Sequence, residues 1–462
     1  MQIEIIKSKG LAHNSYFLSN GGEALVVDPR RDCLAYVQLA NSKCVKIKYI
    51  LETHRNEDYV IGSLELQNIT GAEIAHSKET PFKYGEHRIG DGDVFDIGKL
   101  RIEVLGTPGH TNDSVSYLVL ESIKRKDPIG VFTGDTLFAG DVGRTDLLGL
   151  DFWQEQSEKL YESLHGKILP LGDHVIVYPG HGAGSICGRD ISDREFSTIG
   201  YEKRINPLLQ LSKEEFVDQM TTQELLRPPY FRKMEEYNLE GVRLLREAPV
   251  PQSLSVDEFE EETKQPRSVV IDTRQPEGFA GSHIPASLNI WLDGLSYFPG
   301  WVISYDERIL LVTDRKEDVE TAKNYLWRLG FDNVIGYLCP SIKEWRNAGK
   351  PIDHLNTLSA RLLKEKLDNN EIILIDVRER DEWKNGYVDG AERIYVGHLM
   401  EKAADLPYDK PIATTCGWGG RGGLGASILK KLGFKEIYNV LGGMKAWESL
   451  GYSLRKESKT RD

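Results

Sequence analysis

The sequence predicts an α/β protein of about three domains, with a larger N-terminal domain followed by a tandem pair of smaller ones. Its 462 residues correspond to about three domains of ~150 residues each. Short apolar runs alternate with glycine-rich turns through the first half, which is typical of strands that end in polar loops. The second half contains two similar segments, each with the strand and helix pattern of a small parallel α/β domain.

Composition indicates a cytoplasmic protein without a nucleic-acid or membrane partner. Lysine and arginine number 58 and aspartate and glutamate 71, so the net charge is 58 − 71 = −13. No run of about 18 apolar residues occurs, and the N-terminus lacks the basic-then-apolar pattern of a signal peptide. The five cysteines are widely spaced and odd in number, so we expect reduced thiols rather than a disulfide framework. We also expect a homo-oligomer.

The strand-like runs of the first half end in loops that carry histidine and aspartate. In α/β architectures, ligands and metals are gathered at the loops that follow the strands. The sequence therefore predicts a site built from these loops within a domain at 1–245. A polar stretch with two prolines, 246–254, is the predicted linker. The residues of interest in the loops are His54, Asp58, His110, Asp135 and His181.

The two similar segments of the second half indicate tandem domains. Asp272 is matched by Asp376 at an offset of 376 − 272 = 104, and Trp345 by Trp447 at 447 − 345 = 102. A period this long is that of whole domains rather than of a solenoid. We place the first domain at 255–352 and the second at 358–456.

A glycine-rich loop in the second copy carries a candidate nucleophile. In "PIATTCGWGGRGG", Cys416 directly follows an apolar strand. The glycines after it allow successive backbone N–H groups to point inward as an anion nest. A thiol at the centre of such a nest, with Arg421 closing the loop, is suited to nucleophilic sulfur transfer. The alternative is a buried cysteine in a glycine-rich turn.

That loop, with the Asp-x-Arg start and the Gly-x-x-x-Trp end of each copy, resembles the rhodanese family of sulfurtransferases. The resemblance covers both copies and implies that Cys416 carries the persulfide. It implies that the following residues form the substrate cradle, which are Gly417, Trp418, Gly419, Gly420 and Arg421. In the first copy Thr313 stands at the position of the nucleophile and Cys339 lies elsewhere. We therefore expect the first copy to be a catalytically inactive scaffold or docking surface.

Four motifs in the N-terminal half, "THRNED", "GTPGHT", "FTGDTLF" and "VYPGHG", resemble the metallo-β-lactamase fold in kind and order. The resemblance implies an αββα sandwich that binds two metal ions in many members. The first metal site is expected to use three histidines and a bridging aspartate. This chain retains His54, His110 and Asp135 of that set but has Asn56 in place of one histidine.

The second metal site of the family uses an aspartate and two histidines. This chain retains Asp58 and His181 but has Tyr59 in place of the remaining histidine. A neutral amide and a protonated phenol are poor ligands for a divalent ion. The sequence therefore argues against a dinuclear hydrolytic site.

Two histidines and one carboxylate form the ligand set of mononuclear non-haem iron oxygenases. In the persulfide dioxygenases, the branch of the fold that this chain resembles, those positions hold a single iron. The resemblance implies one Fe(II) per chain at His54, His110 and Asp135, with zinc as the alternative ion. A metal-free pseudoenzyme is the other interpretation left open.

Two further residues are implied by the same resemblance. Arg144, in "AGDVGRTDL", matches an arginine that binds the carboxylate of the thiol substrate; a structural arginine is the alternative. Cys187, in "GHGAGSICGRD", matches a cysteine implicated in persulfide chemistry in fusions of this fold with rhodanese repeats. An incidental free thiol is the alternative for Cys187.

The predicted function is oxidation of a low-molecular-weight thiol persulfide with O₂ to thiol and sulfite. Cys416 then passes a sulfane sulfur to sulfite and gives thiosulfate, as sulfide detoxification requires. The expected partners are the thiol persulfide, O₂ and sulfite. Two alternatives remain: a glyoxalase-II-like thioester hydrolase, which needs the second metal site, and a non-catalytic sulfur-trafficking protein, which lacks bound iron.

Overall fold

The computed structural model of the chain describes residues 1–121, 127–222 and 226–456. It divides into two compact units. The first comprises Met1–Glu247 with Trp327–Gly330, and the second comprises Ala248–Leu326 with Phe331–Asp462. Among the helices within the described ranges, none combines the length and the apolar character needed to cross a membrane.

Two six-stranded sheets form the first unit, and in each sheet the strands lie side by side in chain order. The first sheet contains β1 (Gln2–Ser8), β2 (His13–Asn20), β3 (Glu23–Val27), β4 (Lys46–Leu51), β5 (Glu73–Ser77) and β6 (His87–Ile89). The second sheet contains β7 (Val94–Ile97), β8 (Leu100–Gly106), β9 (Val115–Leu120), β10 (Pro128–Gly134), β11 (Ile176–Pro179) and β12 (Ser197–Thr198).

Apolar side chains fill the space between the two sheets, and further clusters pack helices on their outer faces. Tyr16, Val27, Ile102 and Phe132 belong to the central cluster. The helices are α1 (Leu34–Lys43), α2 (Ser63–Thr70), α3 (Trp153–Ser163), α4 (Ile199–Ile205), α5 (Lys213–Thr221) and α6 (Phe231–Glu240). The predicted αββα sandwich is confirmed.

Strand register brings the loops of the site together. β3 and β4 run parallel with Val27 opposite Leu51, so the residues that follow both strands are neighbours. β10 and β11 also run parallel, with Gly134 opposite Pro179. Because the carboxyl ends of parallel strands share one edge of a sheet, each pair delivers two loops to the same place.

Each rhodanese-like copy in the second unit is built on a five-stranded sheet. The first has the order β13-β17-β16-β14-β15 and the second β18-β22-β21-β19-β20. The strands of the first are β13 (Gln252–Leu254), β14 (Ser268–Asp272), β15 (Leu288–Asn289), β16 (Arg308–Val312) and β17 (Val334–Leu338). Those of the second are β18 (Asn356–Leu358), β19 (Ile373–Asp376), β20 (Glu392–Arg393), β21 (Ile412–Thr415) and β22 (Ile437–Val440). All pairings in both sheets are parallel, which confirms the predicted α/β class.

Helices flank both sheets. Those of the first copy are α7 (Val256–Thr263), α8 (Pro276–Gly281), α9 (Pro299–Val302), α10 (Asp318–Arg328) and α11 (Ile342–Asn347). Those of the second are α12 (Ala360–Asp368), α13 (Arg380–Lys384), α14 (Leu399–Lys402), α15 (Gly420–Lys431) and α16 (Gly443–Ser449).

The repeat extends to single contacts. Arg274 pairs with Asp272 and Arg378 with Asp376, each through an Nη2–Oδ2 distance of 2.6 Å. These ion pairs follow β14 and β19, and each fixes the turn into the next helix with two further charge-assisted hydrogen bonds.

Candidate functional site

The predicted metal ligands converge in one buried pocket of the first unit. His54 follows β4, His110 follows β8, Asp135 follows β10 and His181 follows β11. Each of these four side chains is no more than 3% exposed. Four loops from the two sheets therefore meet where the fold excludes water.

Hydrogen bonds hold the two histidines of the predicted triad in a metal-binding tautomer. Thr53 Oγ1 donates its proton to Asp28 Oδ2 over 2.7 Å and accepts from His54 Nδ1 over 2.9 Å. His110 Nδ1 donates to the backbone oxygen of Arg144 over 2.8 Å. Because Nδ1 carries a proton in both rings, Nε2 is the nitrogen left to bind a metal ion once it is itself unprotonated.

The donor atoms are spaced as a metal ion requires. His110 Nε2 lies 3.5 Å and His54 Nε2 4.0 Å from Asp135 Oδ2. Donors bound to one transition-metal ion at about 2.0–2.2 Å lie roughly 3–4.4 Å from one another. His54 Nε2 has no hydrogen-bond partner among the described residues, although it is fully buried. The three predicted ligands therefore fit a single metal ion.

A fourth donor, which the sequence reasoning missed, lies in the same pocket. Glu57 is buried, with Oε1 3.2 Å from His110 Nε2 and Oε2 4.0 Å from His54 Nε2. Together with these histidines it forms one of the residue groups that could hold a metal ion. The signal in the sequence was an acidic residue inside the ligand loop, at a position where the family pattern expects no ligand.

Charge coupling sets the ionisation of this pocket. Burial alone would lower the pKa of His110, but the Glu57 carboxylate and then Asp135 outweigh it and raise the pKa to about 9. For His54 burial dominates and lowers the pKa. Burial works against ionisation of Glu57, yet the neighbouring His110 lowers its pKa to about 2. Without a metal, the pocket therefore holds an imidazolium and a carboxylate side by side.

Asn56 and Tyr59 stand where the family has histidines, and each side chain forms a hydrogen bond to another group of the protein. Asn56 Nδ2 donates to the backbone oxygen of His54 over 3.3 Å. The Tyr59 hydroxyl bonds His13 Nε2 over 2.8 Å, and His13 Nδ1 is 3.0 Å from Ser8 Oγ. Burial raises the pKa of Tyr59 well above its usual value, so the phenol stays protonated.

A clamp from α6 holds the ligand loop. Asn238 Nδ2 donates to the backbone oxygens of Asn56 and Tyr59, each over 2.7 Å, and its Oδ1 accepts from Ile61 N. Asn238 is itself buried, so its amide satisfies three backbone groups of a buried segment. These bonds fix the backbone on both sides of Glu57 and thereby the direction of its side chain.

The remaining second-site residues form a separate group with Cys187. His181 Nδ1 lies 2.8 Å from Asp135 Oδ1, and its Nε2 lies 3.0 Å from Asp58 Oδ2. Although burial lowers the pKa of His181, Asp135 and Asp58 raise it well above its usual value. Donor atoms of Asp58, His181 and Cys187 all lie within 4.8 Å of one another.

Arg144 is buried, and its guanidinium binds groups of the protein itself. It pairs with both carboxylate oxygens of Asp146, at 2.7 and 2.6 Å, and its Nη1 donates to the backbone oxygens of Ile186 and Leu226. The guanidinium also lies over the Phe231 ring. These contacts hold the loop that carries Cys187, and binding of a substrate carboxylate by Arg144 stays a prediction.

The second predicted site lies in the second rhodanese-like copy. Cys416 follows β21 and is buried, and Gly419 N donates to its Sγ over 3.1 Å. Gly419 has a φ of 129°, a conformation that side chains rarely allow, and helix α15 begins at the next residue. The thiol therefore lies at the start of a 12-residue helix whose N-terminal dipole favours negative charge.

Arg421 does not reach over the thiol in this structure. Its guanidinium pairs with both carboxylate oxygens of Glu382, with Nη2 2.8 Å from Oε1. Trp418 is 39% exposed, and its ring stands edge-on to Trp291 of the first copy with centroids 5.5 Å apart. In the first copy, Thr313 follows β16 as Cys416 follows β21, and its Oγ1 donates to the backbone oxygen of Arg315.

Known families match both halves of the chain. The metallo-beta-lactamase superfamily matches residues 8–181, and the rhodanese-like domain matches residues 255–348 and 359–450. The mitochondrial persulfide dioxygenase ETHE1 of cattle is 32% identical over 212 residues, which are 45% of this chain and 74% of that protein. The hydroxyacylglutathione hydrolase GloC of Haemophilus influenzae is 29% identical over 231 residues, which are 45% of this chain and 98% of that protein.

A solved structure shares more of the architecture. A metallo-beta-lactamase from Staphylococcus aureus superposes with a TM-score of 0.66 at 29% identity, covering 73% of this chain and 98% of that chain. The αββα sandwich with its buried histidine and carboxylate pocket, the paired rhodanese-like sheets and the identity to ETHE1 lead to one assignment. The chain belongs to the metallo-β-lactamase superfamily and joins a domain homologous to persulfide dioxygenase ETHE1 to two rhodanese-like domains.

Proposed function

We propose that the N-terminal domain oxidises a low-molecular-weight thiol persulfide with O₂ at one Fe(II). The balanced reaction is RSSH + O₂ + H₂O → RSH + SO₃²⁻ + 2 H⁺. The observation that carries the proposal is the buried pocket in which two imidazole Nε2 atoms face a shared carboxylate, in a domain 32% identical to a persulfide dioxygenase.

In this proposal His54, His110 and Asp135 hold the metal. When bound, Fe(II) with this ligand set supplies open positions for O₂ and for a sulfur substrate. The protein contributes the tautomers of both imidazoles, through Thr53 and the backbone oxygen of Arg144. It also contributes a dry pocket, which protects a reactive sulfur species from side reactions with water.

The second rhodanese-like domain, in the same proposal, transfers sulfur at Cys416. The thiolate attacks the outer sulfur of RSSH, and the S–S bond breaks with release of RSH. Sulfite then attacks the outer sulfur of the Cys416 persulfide, which regenerates the thiolate and releases S₂O₃²⁻. The backbone N–H of Gly419, 3.1 Å from Sγ, stabilises the negative sulfur in both steps.

One observation favours a second candidate, thioester hydrolysis of the kind that the name of GloC describes. Asp58, His181 and Cys187 form a group that could hold a second ion even though Tyr59 replaces a family histidine. A dinuclear site would activate water for hydrolysis. The two candidates differ in metal number and in their need for O₂.

Metal analysis and O₂ uptake of anaerobically purified protein test the proposal. We expect about one iron per chain and O₂ consumption with glutathione persulfide, with sulfite or thiosulfate as product. His110→Ala should lower O₂ uptake at least ~100-fold, because it removes a ligand, and leave the thiosulfate sulfurtransferase activity of Cys416 intact. Two tightly bound zinc ions, with hydrolysis of a glutathione thioester, would instead establish the hydrolase.

A further inference from the structure

Glu57 is not among the metal ligands that the sequence predicts. In the structure, however, its carboxylate lies among those ligands. The side chain is 1% exposed, and its loop is fixed by the Asn238 clamp on both sides. Oε1 lies 3.2 Å from His110 Nε2 and Oε2 lies 4.0 Å from His54 Nε2. The structure therefore places a second carboxylate, in addition to that of Asp135, close to both histidines.

Two buried polar atoms in this pocket are not satisfied by hydrogen bonds to the described part of the protein. Glu57 Oε2 and His54 Nε2 are both fully buried and have no hydrogen-bond partner among the described residues. Both atoms carry lone pairs, and they face each other. A buried carboxylate oxygen and a buried imidazole nitrogen left in this way each carry a desolvation cost that no hydrogen bond offsets. A cation between Glu57 Oε2 and His54 Nε2 would give both atoms a partner.

We infer that Glu57 is a fourth protein ligand of the metal ion, which makes a site of two histidines and two carboxylates. The candidate donors are His54 Nε2, His110 Nε2, the Glu57 carboxylate and Asp135 Oδ2. Glu57 Oε1 lies 3.2 Å from His110 Nε2 and Glu57 Oε2 lies 4.0 Å from His54 Nε2, while Asp135 Oδ2 lies 3.5 Å and 4.0 Å from the same two nitrogens. Separations of this size match donors of one ion with bonds of about 2.0–2.2 Å. The inference rests on the metal binding that the proposed function requires.

A second carboxylate changes what the site can hold. Two carboxylates balance the charge of a divalent ion, and oxygen donors favour Fe(II) or Mn(II) more than a site of nitrogen and sulfur donors does. A six-coordinate ion with four protein ligands keeps two positions, enough for one sulfur substrate and O₂ together. Glu57 thereby takes over the coordination that Asn56, tied to a backbone oxygen, does not provide.

The competing explanation is that Glu57 and His110 form an ion pair that replaces the metal. The 3.2 Å contact between them is compatible with an imidazolium and a carboxylate. That explanation leaves Glu57 Oε2 and His54 Nε2 without partners, and it predicts that removal of the carboxylate alters stability but no metal property. The two explanations therefore differ in metal affinity and in the spectrum of the bound ion.

Titration of the metal-depleted full-length protein with Co(II) tests the inference. The measurements are calorimetric affinity and the d–d absorption spectrum, which reports the number and kind of ligands. The variants are Glu57→Gln, which keeps the shape and loses the charge, and Glu57→Asp, which keeps the charge and shortens the reach. Asp91→Asn is the matched control, because Asp91 is an exposed carboxylate paired with Lys167.

We expect wild type and Asp91→Asn to bind one Co(II) with the same spectrum. Glu57→Gln should bind at least ~10-fold more weakly with an altered spectrum, and Glu57→Asp should lie between them. If Glu57→Gln does not fold, weaker binding by a folded Glu57→Asp supports the inference, and wild-type affinity and spectrum for Glu57→Asp overturn it. Wild-type affinity and spectrum for a folded Glu57→Gln overturn it and leave the proposed function standing. Failure of the wild-type protein to bind Co(II) or Fe(II) overturns both.

Discussion

Cys187 Sγ lies 3.6 Å from Glu57 Oε1, and both side chains are buried within the pocket that holds the candidate metal donors. The thiol is the donor and the carboxylate the acceptor in this contact. Burial first, and then the carboxylates of Asp58, Asp135 and Glu57, raise the pKa of Cys187 well above its usual value. Cys187 is therefore held as a neutral thiol, rather than as a free thiolate, beside the candidate metal ligands.

This contact predicts slow alkylation of Cys187. The thiolate is the species that reacts, so a thiol whose pKa is raised stays protonated and unreactive at pH 7–8. Cys44 is exposed and should be alkylated before Cys187, whereas Cys33, whose pKa burial raises to about 12, should resist. Iodoacetamide labelling followed by peptide mass spectrometry measures all three. Labelling of Cys187 as fast as of Cys44 in the metal-depleted protein would show that the carboxylates do not protect it.

Thr53 should control metal affinity without touching the metal. Its hydroxyl connects Asp28 to His54 Nδ1, so Thr53→Val removes the acceptor that fixes the tautomer of His54. We expect the affinity for Co(II) to fall ~10- to 100-fold, as for other groups that orient a ligand. Thr70→Val is the matched control, since the Thr70 hydroxyl donates to the backbone oxygen of Leu66 and accepts from the backbone N–H of Ala72. Equal affinities for the two variants would mean that the tautomer of His54 is fixed by other contacts.

Tyr59→Phe should leave the metal content unchanged and lower the stability. The phenol bonds His13 Nε2 in a buried contact, so the variant leaves that nitrogen without a partner at a cost of about 1–3 kcal/mol. Urea unfolding measures the loss. Tyr16→Phe, which removes a buried hydrogen bond to the backbone oxygen of Pro179, provides the comparison. Loss of iron from Tyr59→Phe, but not from Tyr16→Phe, would mean that the phenol is a ligand.

Replacement of Asn56 and Tyr59 together by histidine should restore the family pattern. Asn56→His with Tyr59→His adds two imidazoles to a pocket that already holds Asp58 and His181. We expect a second equivalent of Zn(II) to bind more tightly in this double variant than in the parent, as measured by calorimetry. An unchanged stoichiometry would indicate that the Cys187 group, rather than the missing histidines, limits the second site.

The fold and much of the site follow from the sequence, because strand periodicity and turn composition are local signals. In the run "HVIVYPGHG", the alternation of apolar residues predicts a strand followed by a loop. The structure has β11 in this run, ending at Pro179, and His181 lies in the loop that follows. The repeat predicts the two similar domains of the second unit, and the structure shows the same ion pair within the Asp-x-Arg motif of each copy. These features depend on residues close together in the chain.

Other features depend on tertiary contacts that no local pattern encodes. Glu57 enters the pocket because Asn238, 181 residues further on (238 − 57), clamps its loop. The Arg144 guanidinium pairs with Asp146, one of several acidic residues near it in the sequence, and that of Arg421 pairs with Glu382, 39 residues earlier (421 − 382). Which carboxylate pairs with an arginine is decided by the packed structure, so the sequence could name the arginines but not their partners.

The division of labour between the domains can be tested with Cys416→Ser. A serine hydroxyl keeps the contact with Gly419 N, but it does not ionise near neutral pH and does not carry a sulfane sulfur. The variant should bind iron and consume O₂ with a persulfide, because the residues proposed for that reaction lie in the other unit. We expect sulfite to accumulate where the parent yields thiosulfate, with both ions measured after derivatisation and chromatography.

The first rhodanese-like copy provides the control for Cys416→Ser. Thr313→Val and Cys339→Ser alter the residue after β16 and the residue after β17, and neither carries sulfur in the proposed reaction. Both should leave the ratio of sulfite to thiosulfate as in the parent. Thiosulfate formed by Cys416→Ser at the parental rate would place the transfer on another thiol. Cys187 is then the thiol to replace, because it is the cysteine buried among the candidate metal ligands.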